Sequence, residues 1–261
     1  MRIARAIFIV LLLSGTGLTQ QRLVVIGGGK RPPEAVKKFV EWSGGAKGRV
    51  IAITWATSSP AEGYESIRKD FDEYHIPIVH APDPPFDATK KATLIEQLKN
   101  ATGVFFGGGD QNRIMDVLAD RELVSLMRQR YRHGVTFGGT SAGAAVLSDP
   151  MMTGEADLKV VDGAKVGVRE GLGFVPGVIF DQHFLLRQRY GRLFALMMKY
   201  PNMLGVGIDE GNAVMVEDDR WLTTTGPTWV MFVVPRQRTE FDVTFAPSGS
   251  KFDLKKRKLA R

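Results

Sequence analysis

The sequence contains no cysteine, which excludes a disulfide framework, thiolate metal sites, a cysteine nucleophile and a cysteine-linked lipid anchor. It also lacks any long block of one charge: 35 Lys and Arg against 28 Asp and Glu give a formal net charge of +7, spread along 261 residues. That excess argues weakly for anionic partners and says nothing about fold. Basic residues are not interleaved with aromatics in a stripe, so nucleic acid is not an expected partner. No apolar run beyond residue 20 reaches the length of a membrane span. Neither the glycine triplet Gly27, Gly28, Gly29 nor Gly107, Gly108, Gly109 completes G-x-G-x-x-G, and no Walker A lysine motif occurs. No nucleotide is therefore expected, and neither a metal nor an organic cofactor is expected.

At the N-terminus, Arg2 and Arg5 flank the start of a short apolar run, residues 6–13, followed by small residues through Thr19. This is the pattern of a secretory signal, too short for a stable membrane helix. Residues 1–20 are expected to be removed, with cleavage after Gly17 or Thr19, and the protein is expected to be secreted or periplasmic.

From Leu23 onward, short β-branched runs alternate with amphipathic stretches. The pattern predicts one α/β domain over residues 21–254, a three-layer αβα unit with a mostly parallel sheet. Strands are expected at 23–26, 49–54, 76–80 and 104–106. A helix should start at Pro33, with Ala35, Val36, Phe39 and Val40 on its buried stripe, and further helices are expected at 67–74 and 92–98. Residues 255–261 read as a basic tail, solvated and frayed.

The most informative segment surrounds Gly139-Thr140-Ser141-Ala142-Gly143, where a β-branched and aromatic run passes into an alanine-rich stretch. G-x-S-x-G at a strand-to-helix corner is a nucleophile elbow. Side chains at Gly139 and Gly143 would collide with neighbouring backbone, Ser141 would project at the carboxyl end of the sheet, and the amide of Ala142 would face a developing oxyanion. A serine nucleophile needs a base, and there are only four histidines: His75, His80, His133 and His183. His183 stands out, because Asp181-Gln182-His183 ends an apolar strand and is followed by Arg187, Arg189 and Arg192, expected on a helix. The carboxylate partner of such a histidine remains open among Asp181, Asp209 and Glu210.

Four ordered motifs make the chain resemble the cyanophycinases of the S51 group of serine peptidases, a group that also contains the α-aspartyl dipeptidases. They are Gly107-Gly108-Gly109-Asp110-Gln111, Gly138-Gly139-Thr140-Ser141-Ala142-Gly143-Ala144, Asp181-Gln182-His183 with the three arginines, and Gly207-Ile208-Asp209-Glu210. The resemblance implies Ser141 as nucleophile, His183 as general base and acid, and Glu210 as the carboxylate that orients it. It places an amide of Gly108 or Gly109 beside that of Ala142 in the oxyanion hole. It further implies that Gln111, Asp181, Gln182, Arg187, Arg189 and Arg192 contact the substrate. That substrate would be cyanophycin, a poly-aspartate bearing an arginine on each β-carboxyl through an isopeptide bond, or an aspartyl peptide. Family members are often homodimers. Residues 151–155 match the family's glycine-containing stretch only approximately, so the loop over the site is expected to have its own shape.

Overall fold

The computed structural model describes residues 20–157, 160–237 and 239–260; all but the last residue of the expected signal segment lies outside them. Five strands form the parallel half of the main sheet: β1 (Arg22–Ile26), β2 (Val50–Ile53), β3 (Ile78–His80), β4 (Gly103–Phe106) and β5 (Thr136–Thr140). Their order is β1-β5-β4-β2-β3, and every neighbouring pair is parallel. β2, β4 and β5 are buried at every position, as a sheet covered on both faces requires.

Helices α1 (Pro33–Trp42) and α2 (Pro60–Asp72) cover one face. The stripe on α1 is Ala35, Val36, Phe39 and Val40, the four residues read from the sequence. Phe39 meets Phe71 and Phe105 edge to face at 5.5 and 5.3 Å. α2 begins seven residues earlier than its apolar residues mark, because its first turn is polar and starts on a proline, which lacks an amide hydrogen the first turn does not need. α3 (Ala88–Asn100), α4 (Gln111–Val117) and α5 (Arg121–Arg132) each start on an aspartate, Asp87, Asp110 or Asp120, whose carboxylate accepts from an amide of the first turn. α3 and α5 pack on the opposite face of the sheet with the short helix α6 (Ala142–Ala145).

The late part of the chain is strand-rich. β6 (Met151–Ala156) and β7 (Val166–Arg169) form a hairpin. Next come β8 (Val178–Gln182), α7 (Tyr190–Lys199), β9 (Leu204–Ile208), β10 (Ala213–Glu217), β11 (Trp221–Thr225), β12 (Val230–Pro235), β13 (Phe241–Ala246), β14 (Lys251–Asp253) and β15 (Lys258–Leu259). β10, β11, β14 and β15 extend the main sheet antiparallel from β1, to nine strands among the described residues. A second sheet, β13-β12-β9-β8, packs Phe180, Val206 and Phe232 into one core with Val25, Phe137 and Val214 of the main sheet. It thus shares one face of the main sheet with α3, α5 and α6, and α7 covers its outer side through Leu193 and Leu196.

The basic tail is not frayed. Asp253 Oδ1 accepts from the amides of Lys255 and Lys256, each at 3.0 Å, and the chain turns back so that Lys258–Leu259 pairs with Phe252 and Asp253. The folded unit runs through β15 rather than ending at residue 254, because the carboxylate converts a run of cations into a turn that a sheet edge can receive.

Replacing Phe39 by alanine removes the ring at the centre of the Phe39, Phe71 and Phe105 contact. The Phe39→Ala protein should lose about 3–5 kcal/mol of stability in urea denaturation, with an unchanged secondary-structure spectrum below the transition.

Candidate active site

Ser141 sits where β5 passes into α6, with φ +55° and ψ −116°, a conformation a non-glycine residue holds only under constraint. Its amide donates to Ile26 O at 3.1 Å, and its carbonyl accepts from the amide of Ala144 at 2.9 Å. A Cβ on Gly139 would lie 2.3 Å from Gly143 O, and one on Gly143 would lie 2.2 Å from Phe106 O. The corner therefore closes only with hydrogen at both positions, the collision read from the sequence.

His183 follows β8, and Asp209-Glu210 follows β9. Because these strands are parallel with Gln182 opposite Ile208, the register delivers the histidine and the acid to the same end of the second sheet. His183 Nε2 lies 2.8 Å from Ser141 Oγ, and His183 Nδ1 is hydrogen bonded to Glu210 Oε1. The three side chains, 42 and 27 residues apart in succession, form a line along which a proton can pass from the hydroxyl to the imidazole. Asp209 instead accepts from the amide of Leu186 at 3.1 Å, and Asp181 is paired with Arg192. Of the three carboxylates left open, Glu210 is the one in contact with His183.

Sequence reasoning missed the floor of this site. Gly27, Gly28 and Gly29 were weighed only as an incomplete dinucleotide motif, yet Gly28 lies against His183 and Gly29 against Glu210. His183 donates its amide to Gly27 O at 2.8 Å, and Gly211 donates to Gly28 O at 3.0 Å. Gly28 has φ +123°, and a Cβ there would lie 2.3 Å from His183 Cε1. A triplet of glycines directly after the first buried strand was the available signal. Two of the other histidines are engaged elsewhere: His80 Nε2 is 2.6 Å from Thr54 Oγ1, its ring stacked on Tyr64, and His133 Nδ1 is 2.8 Å from Gln129 O.

The imidazole of His183 is held below its usual pKa, chiefly because it is buried. Glu210 opposes that shift, while the cations Arg187 and Arg189 add to it. The neutral form, the one able to accept a proton from Ser141, consequently persists to lower pH than for a solvated histidine.

Gly108 lies against the serine, where a Cβ would be 3.3 Å from Ser141 Cβ. Gly109 is fixed behind it, where a Cβ would meet Ala56 O at 2.2 Å. Gly108, at the end of β4, thus borders the serine on the side away from β1.

The surrounding polar residues divide into two groups. Gln111 is buried and donates from Nε2 to Met152 O at 2.9 Å, and Asn112 Nδ2 donates to Thr153 O at 3.0 Å, so α4 holds the β6–β7 hairpin. Gln182 Oε1 accepts from Arg189 at 3.1 Å, and Gln182 O accepts from the same nitrogen at 2.8 Å. Burial and the neighbouring charge of Arg192 push the Arg189 pKa down to about 10. Arg187 is exposed.

Two residues expected to contact substrate do not face it. The Asp181 and Arg192 side chains are 0% and 2% exposed and bind each other through two contacts, because a buried charge must be paired. The arginines also do not share a helix: α7 starts at Tyr190, so Arg187 and Arg189 lie on the preceding turn. Among the described residues no group of three or more acidic or histidine side chains is arranged to hold a metal ion.

The model of peptidase family S51 matches residues 23–224. The chain belongs to peptidase family S51. It is 34% identical over 226 residues to a cyanophycinase of Trichormus variabilis (strain ATCC 29413 / PCC 7937), covering 85% of this chain and 76% of that one. A cyanophycinase of Geminocystis herdmanii (strain PCC 6308) is 33% identical over 218 residues, 81% of this chain and 79% of the relative. A peptidase E of Nostoc sp. (strain PCC 7120 / SAG 25.82 / UTEX 2576) is 23% identical over 220 residues, covering 80% and 84%. A solved peptidase from an acI-B1 Actinobacterium superposes with a TM-score of 0.68 at 18% identity, over 91% of this chain and 98% of that one, which supports the α/β fold. Membership makes this S51 protein a serine peptidase.

Two outcomes follow from the geometry. A methyl group at Gly28 would displace the imidazole, so Gly28→Ala should reduce labelling of Ser141 by a fluorophosphonate at least about a hundredfold, since a small misplacement at a reacting centre costs that much, while the circular dichroism spectrum is retained. The labelling rate of the unaltered protein should fall only below the ordinary histidine value near 6.5 as pH drops. Removing a cation lets the imidazole hold its proton more readily, so Arg187→Ala should move that acid limb upward.

Proposed function

We propose that this serine peptidase hydrolyses cyanophycin after export from the cytoplasm, releasing β-aspartyl-arginine dipeptides through an acyl-enzyme. The substrate reading rests on the likeness to cyanophycinases, 34% over 85% of the chain against 23% for the peptidase E relative. The chemistry rests on the unbroken contact from Ser141 through His183 to Glu210. Export rests on the signal pattern of residues 1–20.

In this mechanism Ser141 Oγ attacks an aspartyl backbone carbonyl while His183 Nε2 takes the hydroxyl proton. Glu210 holds the ring with its Nδ1 hydrogen facing the carboxylate and stabilises the imidazolium that forms. The amide of Ala142, with that of Gly108 or Gly109, donates to the oxyanion. Collapse of this intermediate transfers the proton from His183 to the leaving amine and leaves an ester on Ser141. Water, deprotonated by His183, then attacks the ester and regenerates the hydroxyl. Arg187 and Arg189 supply cations for the free α-carboxylates of the arginine branches. Gln111 and Gln182 border the cleft, each already anchored by one hydrogen bond.

Protein lacking residues 1–20 should clear a suspension of insoluble cyanophycin, with β-aspartyl-arginine as the product by mass. Ser141→Ala should lower the rate at least about a thousandfold without changing the fold. Full activity in that variant would end the mechanism, and cleavage confined to short peptides with N-terminal aspartate would assign a dipeptidase instead.

A further inference from the structure

The side chains around His183 leave a chemical gap. Each unit of the substrate proposed here carries a guanidinium as well as a carboxylate, but Asp181 is committed to Arg192 and Gln182 Oε1 to Arg189. Gln111, whose Nε2 donates to Met152 O, leaves only a neutral amide oxygen, so a charged acceptor for the guanidinium must come from elsewhere along the carboxyl end of the sheet.

A cleft of about 430 Å³ lies at that end, between the chain leaving β2 (Trp55, Thr57), Asp83 with Pro84, and Arg113 with Asp116 on α4, within the size range of small-ligand sites. Its charges are of both signs. Arg113 is exposed and makes no hydrogen bond or ion pair among the described residues. Asp83 turns Oδ1 inward, 3.6 Å from His80 Nε2, while its side chain is 42% exposed and lines the cleft, so its carboxylate can be reached by a cation from outside. Asp116 adds a second carboxylate, shared with Arg169 at 2.9 Å.

The cleft is joined to the reacting centre by a short rigid path. Gly108 touches Ser141, Gly109 packs on Ala56 O, and Asp110 donates its amide to Ala56 O at 2.9 Å. β2 is two strands from β5. Asp83 follows β3, three strands from β5, so at about 4.8 Å per strand the cleft stands roughly 10–15 Å from Ser141, a span covered by about three to four residues of extended backbone.

We propose that this cleft is a second binding site for the substrate chain, holding one aspartyl-arginine unit a few residues from the bond being cut, with Arg113 on the α-carboxylate and Asp83 and Asp116 on the guanidinium. The proposal rests on the substrate reading above. It makes the enzyme's grip depend on chain length, because only a substrate long enough to span both places engages the second one.

The test compares steady-state kinetics on a long soluble aspartyl-arginine oligomer and on the shortest oligomer that is cleaved. Arg113→Ala should raise KM for the long oligomer about tenfold, the loss of one charge-assisted contact, with kcat unchanged and the short oligomer unaffected. Asp83→Asn should act in the same direction, and Arg113→Lys should keep most of the affinity. Equal effects on both oligomers, or no effect on either in variants with unchanged thermal midpoints, would overturn the second site while leaving the substrate reading intact. Failure of the unaltered enzyme to cleave either oligomer would overturn the substrate reading, and with it the occupant named here.

Discussion

Close approach of backbone to side chain at the crest of the main sheet is the constraint on which the site depends. The ring of His183 rests where a Cβ on Gly28 would stand, and Ser141 turns its corner only because Gly139 and Gly143 leave room for one another and for Phe106 O. Neither arrangement can relax by moving a flexible side chain. At Gly139 and Gly143 the obstacle is backbone, and at Gly28 it is a ring pinned by Ser141 on one side and Glu210 on the other.

Much of this was legible in the sequence. Local patterns suffice for β1, for the stripe of α1 and for the serine corner, since each is set by residues near one another in the chain. The residues alone left the partner of His183 open among three carboxylates, and only the family resemblance pointed to Glu210, because the choice depends on the register of β8 against β9, a long-range fact with no local mark. The second sheet was illegible for the same reason: its strands look like those of the main sheet, and only pairing separates them. The tail was misread because a run of cations resembles a solvated terminus, while the turn made by Asp253 requires the β14 edge to be in place.

The charged residues near His183 show why residue type alone misleads. Asp181 and Arg192 have the chemistry of a substrate contact, but one lies inward on a buried strand and the other on the buried face of α7, so they neutralise each other. Arg189 is half-buried and bonded to Gln182, and Arg187 is exposed. Burial chiefly holds His183 ready to accept a proton; the charges of Arg187 and Arg189 add to it, and Glu210 pulls the other way.

The nucleophile and the glycine floor belong to one sheet, whereas His183 and Glu210 arrive on the other. The two are stitched at their ends by the bonds from His183 to Gly27 and from Gly211 to Gly28, and along their length by apolar packing around Phe137, Phe180 and Val206. Reactivity at the serine is thus a gauge of how the layers are seated. A slide of one layer over the other by a fraction of an ångström would unmake the relay before it disturbed either ladder, so alterations deep in the shared interior can silence the enzyme from a distance.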